Sequence, residues 1–142
     1  MTYLELNSEN LNPDLQQQAA VLFGQLTNAV EAIPLDTLLA NNPQLTVLGC
    51  MEGDKLLGMG SMVTYRVVSG YKGWIEDVVV DQAQRGRGIG RELMRRLLDK
   101  GRQMGLNEIL LFTAHHRKPA IALYESLGFK KKDSYLYVLK TI

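Results

Sequence analysis

Trp74-Ile75-Glu76-Asp77-Val78-Val79-Val80-Asp81-Gln82-Ala83-Gln84-Arg85-Gly86-Arg87-Gly88-Ile89-Gly90-Arg91-Glu92-Leu93-Met94 decides the reading of this chain. Its first part is an apolar, β-branched run that fits a buried strand, and its last part opens an amphipathic helix. Between them stands a turn of glycines and arginines. A strand that ends in such a turn and runs straight into a helix offers bare backbone N–H groups at the positive end of the helix dipole, where anions bind. Glycine permits close backbone approach to a phosphate, and guanidinium groups can reach a second one.

Two nucleotide-binding loops are excluded by spacing. A dinucleotide fingerprint needs G-x-G-x-x-G, but the glycines stand at 86, 88 and 90, and Arg91 occupies the third required position. A Walker loop needs Gly-Lys-Ser/Thr, which is absent. What remains suits a pyrophosphate held without magnesium by Arg85, Arg87, Gly88 and Gly90, with Gly86, Ile89 and Arg91 in the same turn.

Outward from this stretch, the helix is expected over Gly88 to Met104, with Ile89, Leu93, Met94, Leu97 and Leu98 as its buried stripe and Gly101 and Gly105 loosening and stopping its end. A buried strand follows at Asn107 to Phe112, so strand, helix and strand form a parallel crossover. A short helix over Pro119 to Leu127, closed by Gly128, precedes a final strand at Tyr135-Leu136-Tyr137-Val138-Leu139. Upstream, Leu45 to Met51 and Leu56 to Tyr65 read as antiparallel strands around the turn Glu52-Gly53-Asp54-Lys55, and Thr2 to Leu6 as a short first strand. Pro13 to about Thr27 reads as a helix on the spacing of Leu15, Ala19, Leu22, Phe23 and Leu26, and Asp36 is expected to cap a shorter one through Leu39. The expected architecture is one α/β (α+β) domain over 1–142, a single mixed, mostly antiparallel sheet of six or seven strands with helices on both faces.

Composition narrows the function classes. The chain is 46% hydrophobic and 22% charged, which places it among globular domains. Sixteen basic against fifteen acidic residues leave no global field to drive it onto nucleic acid or a membrane surface. No apolar run approaches the ~20 residues that span a bilayer, and the first residues lack a signal peptide's basic start, so a cytoplasmic location is expected. Cys50 cannot form an internal disulfide and lies in an apolar run, as a small buried thiol would. His115 and His116 are adjacent and point apart on extended backbone, with no acidic or cysteine partner at ligand spacing, so no metal is expected.

The motifs resemble those of a known family. Arg85-x-x-Gly88-x-Gly90, after a strand and opening a helix, is similar to the acetyl-CoA pyrophosphate loop of the GNAT superfamily of N-acetyltransferases. Leu123-Tyr124-Glu125-Ser126-Leu127-Gly128-Phe129 resembles that family's second signature, L-Y-x-x-x-G-F. The resemblance covers Leu45 to the C-terminus, and Ile75 to Val80 is close to the matching strand of the glucosamine-6-phosphate N-acetyltransferases and of many bacterial members. It implies acetyl-CoA as cosubstrate, a small-molecule or protein amine as acceptor, and acceptor-side helices at about 13–42. It also implies backbone binding of the pantetheine arm along Val78, Val79 and Val80, and Tyr124 beside the coenzyme A sulfur as general acid; a homodimer is compatible with it. Two departures stand out: Arg117 occupies the place of an asparagine that holds the pantetheine arm in many members, and the tail lacks the arginine that binds sugar phosphate in the glucosamine enzymes.

The chemistry asks for a base whatever the family. An amine of pKa ~10.4 is free base in only about one part in several thousand at pH 7, a handicap of roughly 4 to 5 kcal/mol. A carboxylate near the acyl carbon removes that proton, directly or through water. Glu76 and Asp77 stand on the strand that enters the phosphate loop. Side chains alternate across a strand, so only one of them is expected to face the acceptor, Glu76 placed ahead of Asp77. Readings from other classes are an acyl-CoA-binding regulator without chemistry and nucleic-acid binding by the arginines of 85 to 102; the latter alternate with Glu92 and Asp99 and lack interleaved aromatics, which speaks against it.

Overall fold

A computed structural model describes residues 1–142. The chain divides into two compact units, Met1–Phe112 and Thr113–Ile142. In the first, five strands form one sheet in chain order: β1 (Thr2–Glu5), β2 (Leu45–Glu52), β3 (Lys55–Val67), β4 (Gly70–Val80) and β5 (Glu108–Leu110). The first four are antiparallel neighbours, and β5 runs parallel to β4.

Helix α1 (Pro13–Leu26) begins where Asn12 caps it, the Asn12 side chain accepting the Leu15 N–H at 2.8 Å with Pro13 in the first turn. Its buried face of Leu15, Ala19 and Leu22 packs with Leu35 of α2 (Leu35–Leu39) onto Val47, Leu56, Met59 and Val79 of the sheet. Glutamine side chains fix α1 in place: the Oε1 atoms of Gln18 and Gln25 accept the N–H groups of Leu56 and Gln82 at 2.8 and 2.9 Å. Asp36 does not cap α2. Pro34, whose fixed φ presets the first turn, precedes the helix, and the Asp36 carboxylate accepts the Thr37 N–H at 2.7 Å from inside it.

Helix α3 (Ile89–Met104) covers the opposite face. Leu93, Met94 and Leu97 are fully buried there, and a Cβ placed on Gly58 would stand 3.0 Å from Ile89 and 3.4 Å from Leu93. Met59 packs toward α1, so consecutive β3 residues divide between the two helical layers. Gly101 does not loosen α3. A Cβ there would meet Ile109 Cδ1 at 2.6 Å, so the residue is small because β5 packs against it.

The second unit holds α4 (Lys118–Ser126) and an extended C-terminal segment. Tyr135 to Leu139 is not a strand of the sheet and is exposed, Tyr137 at 89%. The sheet therefore has five strands rather than six or seven. Alternation of β-forming residues supplies propensity, but a strand exists only where a partner takes its hydrogen bonds.

Candidate active site

A break in the β3–β4 register builds the centre of the site. Met59 stands opposite Val79 and Ser61 opposite Glu76, so Gly60 alone faces the pair Asp77 and Val78. This is a β-bulge, with Asp77 in left-handed backbone at φ 52°. A non-glycine residue in that region is uncommon, with aspartate and asparagine among the residues that tolerate it best.

Alternation predicts that only one of the two carboxylates faces the acceptor, Glu76 ahead of Asp77; of the pair, Asp77 is the one that lines the cleft against α1 and α2. Directly paired residues share a face, so Glu76 lies on the face of Ser61, which also lines that cleft. The extra residue turns Asp77 onto the same face, where it lines the same cleft. Burial raises the pKa of both carboxyls above the ordinary range, and the charge of Asp77 raises that of Glu76 further. Past the bulge alternation resumes. Val79 is buried toward α1, while Val78 lies on the α3 side, within 3.1 Å of a Cβ built on Gly60.

The other edge of β4 is splayed. β5 pairs with β4 only across Lys72, Gly73 and Trp74, so the ladder to this neighbour stops before Ile75. Phe112 stacks on Trp74 with ring centroids 4.6 Å apart, closing the paired end. From Ile75 to Val80 the backbone has β3 alone as its sheet neighbour.

The turn beyond β4 begins with a 3-10 turn at Gln82–Gln84, where the Asp81 carboxylate accepts the Ala83 N–H at 3.1 Å. Gly86 and Gly88 have φ of 85° and 78°, and a Cβ at either would meet no atom within 4 Å. Gly88 is the N-cap of α3 and makes no side-chain cap, so the first-turn N–H groups at Ile89, Gly90 and Arg91 lie at a helix start without one. The Ile89 side chain is buried in the core and can contribute only its backbone. Arg85, Arg87 and Arg91 are exposed, and Arg87 pairs with Glu52 at 3.0 Å.

In the second unit the Leu-Tyr-x-x-x-Gly-Phe stretch has a local explanation. The N–H of Phe129 donates to Tyr124 O and that of Gly128 to Glu125 O, both at 3.1 Å, with Gly128 at φ 101°. This is a Schellman cap, and the Tyr124 and Phe129 rings meet edge-on at 6.1 Å as its hydrophobic contact. Burial raises the Tyr124 pKa, opposed by the nearby charge of Arg117 at the N-cap of α4. His115 and His116 are exposed, and no group of three or more histidine, cysteine or acidic side chains is close enough to hold a metal ion.

The cleft between α1, α2 and the sheet encloses about 1060 Å³. Phe23, Val30, Ile33 and Met59 give it apolar walls, and Glu31, Asp36, Ser61 and Asp77 supply polar groups. Sequence reading placed the acceptor side in this region but did not find Glu31, Asp36 or Ser61. No local pattern marks them, because the fold alone brings the loop after α1, the helix α2 and β3 together.

The site therefore combines a splayed parallel strand pair, a glycine-lined helix start and a carboxylate-bearing cleft. The acetyltransferase (GNAT) family profile matches residues 12–129, and the chain belongs to that family. Human N-acetyltransferase 8B is 44% identical over 60 residues, covering 42% of this chain and 26% of its own length. Streptothricin acetyltransferase of Streptomyces lavendulae is 38% identical over 85 residues, covering 55% of this chain and 44% of its own. The chain thus spans less than half the length of either relative. A solved putative acetyltransferase from Agrobacterium tumefaciens shares the fold, with TM-score 0.83, 19% identity and coverage of 99% of this chain and 100% of its own. No helix is long and apolar enough to cross a membrane.

Proposed function

We propose that this chain transfers the acetyl group of acetyl-CoA to a primary amine of a small molecule or protein, by direct attack of the amine within a ternary complex. The observation that carries this reading is the bulge that places Asp77 on the wall of a ligand-sized cleft, directly after Glu76 in the strand, both carboxyls having a raised pKa. Family membership supports the reaction class.

The residues present fit the cosubstrate. Gly86 and Gly88 leave open space where any side chain would stand, in front of the uncapped first turn of α3, so a pyrophosphate can approach the backbone. Arg85, Arg87 and Arg91 supply positive charge at the same turn, and Ile75 to Val80 have backbone groups on the splayed side for the amides of the pantetheine arm. When bound, acetyl-CoA supplies an activated acyl group as a thioester.

The chain's own part is to move protons and to exclude the wrong geometry. Either Glu76 or Asp77 accepts the ammonium proton, directly or through water, and a raised pKa makes each a better base near neutrality than an ordinary carboxylate. Tyr124, assigned by its place in the family signature, donates a hydrogen bond to the departing thiolate; its raised pKa keeps the phenol protonated. Replacing Tyr124 by Phe is expected to lower kcat roughly tenfold while the acetyl-CoA Kd changes little. Steady-state kinetics and calorimetry of the variant decide this, and unaltered kcat removes Tyr124 from the chemistry.

The arginines of α3 favour this reading over nucleic-acid binding, because Arg95, Arg96 and Arg102 pair with Glu92 and Asp99 at 2.6 to 3.0 Å. Hydrogen bonds from Arg95 and Arg96 hold the Glu92 carboxyl down at about 2. The testing experiment measures thiol release from acetyl-CoA across a panel of amines, together with the melting temperature. Acetyl-CoA is expected to raise the melting temperature, and at least one amine to accelerate thiol release. Stabilisation without any amine-dependent release points to a non-catalytic acyl-CoA-binding protein, and absence of both refutes the reading.

A further inference from the structure

The cleft also states which amine it takes. We infer, on the acetyl-transfer reading above, that the acceptor is a diamine or polyamine whose second cationic centre is held by Glu31 and Asp36 while the reacting amine lies at Asp77.

The ionisable residues lining the cleft are Glu31, Asp36 and Asp77, and no lysine, arginine or histidine lines it. Asp77 comes from β4, Asp36 from α2 and Glu31 from the loop after α1, so the charge is spread over separate walls. None of the three takes part in an ion pair within the chain. A reacting ammonium brings one positive charge and meets its counter-charge at β4. The carboxylates on the helical side remain, and a second ammonium answers them.

The same lining disfavours anionic acceptors. A sugar phosphate or the carboxylate of an amino acid would enter a negative cleft with no cation to receive it, and juxtaposed like charges act against the wrong ligand. The lining also carries apolar side chains, Phe23, Ile33 and Met59 among them. That suits the methylene spacer of a diamine, which buries alkyl surface while its ends stay charged.

Calorimetry of the full chain with 1,4-diaminobutane, spermidine, butylamine and glucosamine 6-phosphate tests this, alongside turnover with saturating acetyl-CoA. The polyamines are expected to bind about tenfold more tightly than butylamine, consistent with modest gains from two partly exposed pairs, and the difference should shrink as salt is raised. Neutralisation by Glu31→Gln should bring polyamine affinity down to about that of butylamine and reduce its salt dependence. Equal binding of mono- and polyamines, or tighter binding of the sugar phosphate, overturns the inference without touching acetyl transfer to some amine. Tight, salt-sensitive polyamine binding with no turnover of any amine keeps the charge preference and overturns the transferase reading instead.

Discussion

The double variant Glu76→Gln/Asp77→Asn is expected to lose about two to four orders of magnitude in kcat for amine acetylation, the range typical for removal of a general base. Its affinity for acetyl-CoA should change little, because neither carboxylate lies at the α3 start. Asparagine is the suitable replacement at position 77, since it tolerates the left-handed backbone there, at φ 52°. The single variants then separate the roles. If Asp77 is the base, Asp77→Asn alone reproduces the full loss. If Glu76 is the base, Asp77→Asn keeps most activity and shifts the acid limb of the pH profile to lower pH, because the Asp77 charge is one cause of the raised Glu76 pKa. Full activity in the double variant would dismiss both residues.

The same pair carries an opposite effect on stability. Both folded pKa values lie above their unfolded ones, so the protonated forms are favoured in the fold. Their contribution to stability is complete below the unfolded pKa and is lost as pH rises through the folded pKa. At pH 7 the ionised pair is therefore a burden that neutral amides remove. The double variant should melt above the native chain at pH 7, and the difference should vanish on acidification. A variant that loses activity while gaining stability has lost chemistry, not folding.

Gly88→Val is expected to weaken acetyl-CoA binding by roughly a hundredfold or more. The native residue is left-handed at φ 78°, a conformation that costs about 1–2 kcal/mol for an ordinary L-residue and more for a β-branched one. A valine that keeps this geometry fills the open space in front of the first turn of α3, and one that escapes it turns the N–H groups away. Hydrogen bonds to a charged group contribute about 1.5–3 kcal/mol each, so losing one or two of them accounts for the expected change. Calorimetric titration of the variant with acetyl-CoA measures it, with Gly88→Ala expected between the two. Unchanged affinity in Gly88→Val would place the phosphates elsewhere.

What the sequence determined by itself was what a few consecutive residues close among themselves. The cap of α1 by Asn12, the amphipathic stripe of α3 and the left-handed glycines at its start are all set within a turn or two of chain. So is the Schellman cap that ties Tyr124 to Phe129, which explains why that signature could be read as a helix end. The tertiary structure decided what depends on a distant partner. Register against β3 created the bulge that brought Asp77 to the face of Glu76, against the plain alternation of β4. Packing of Ile109 made Gly101 a contact rather than a hinge, and lack of a strand partner left Tyr135 to Leu139 outside the sheet. The charge of the acceptor cleft belongs to this second kind, because Asp77 is remote in the chain from Glu31 and Asp36 and joins them only around a shared cavity. Local hydrogen-bonded rings are written in adjacent residues, whereas register, close approach and the sign of a cavity are fixed only when remote segments pack.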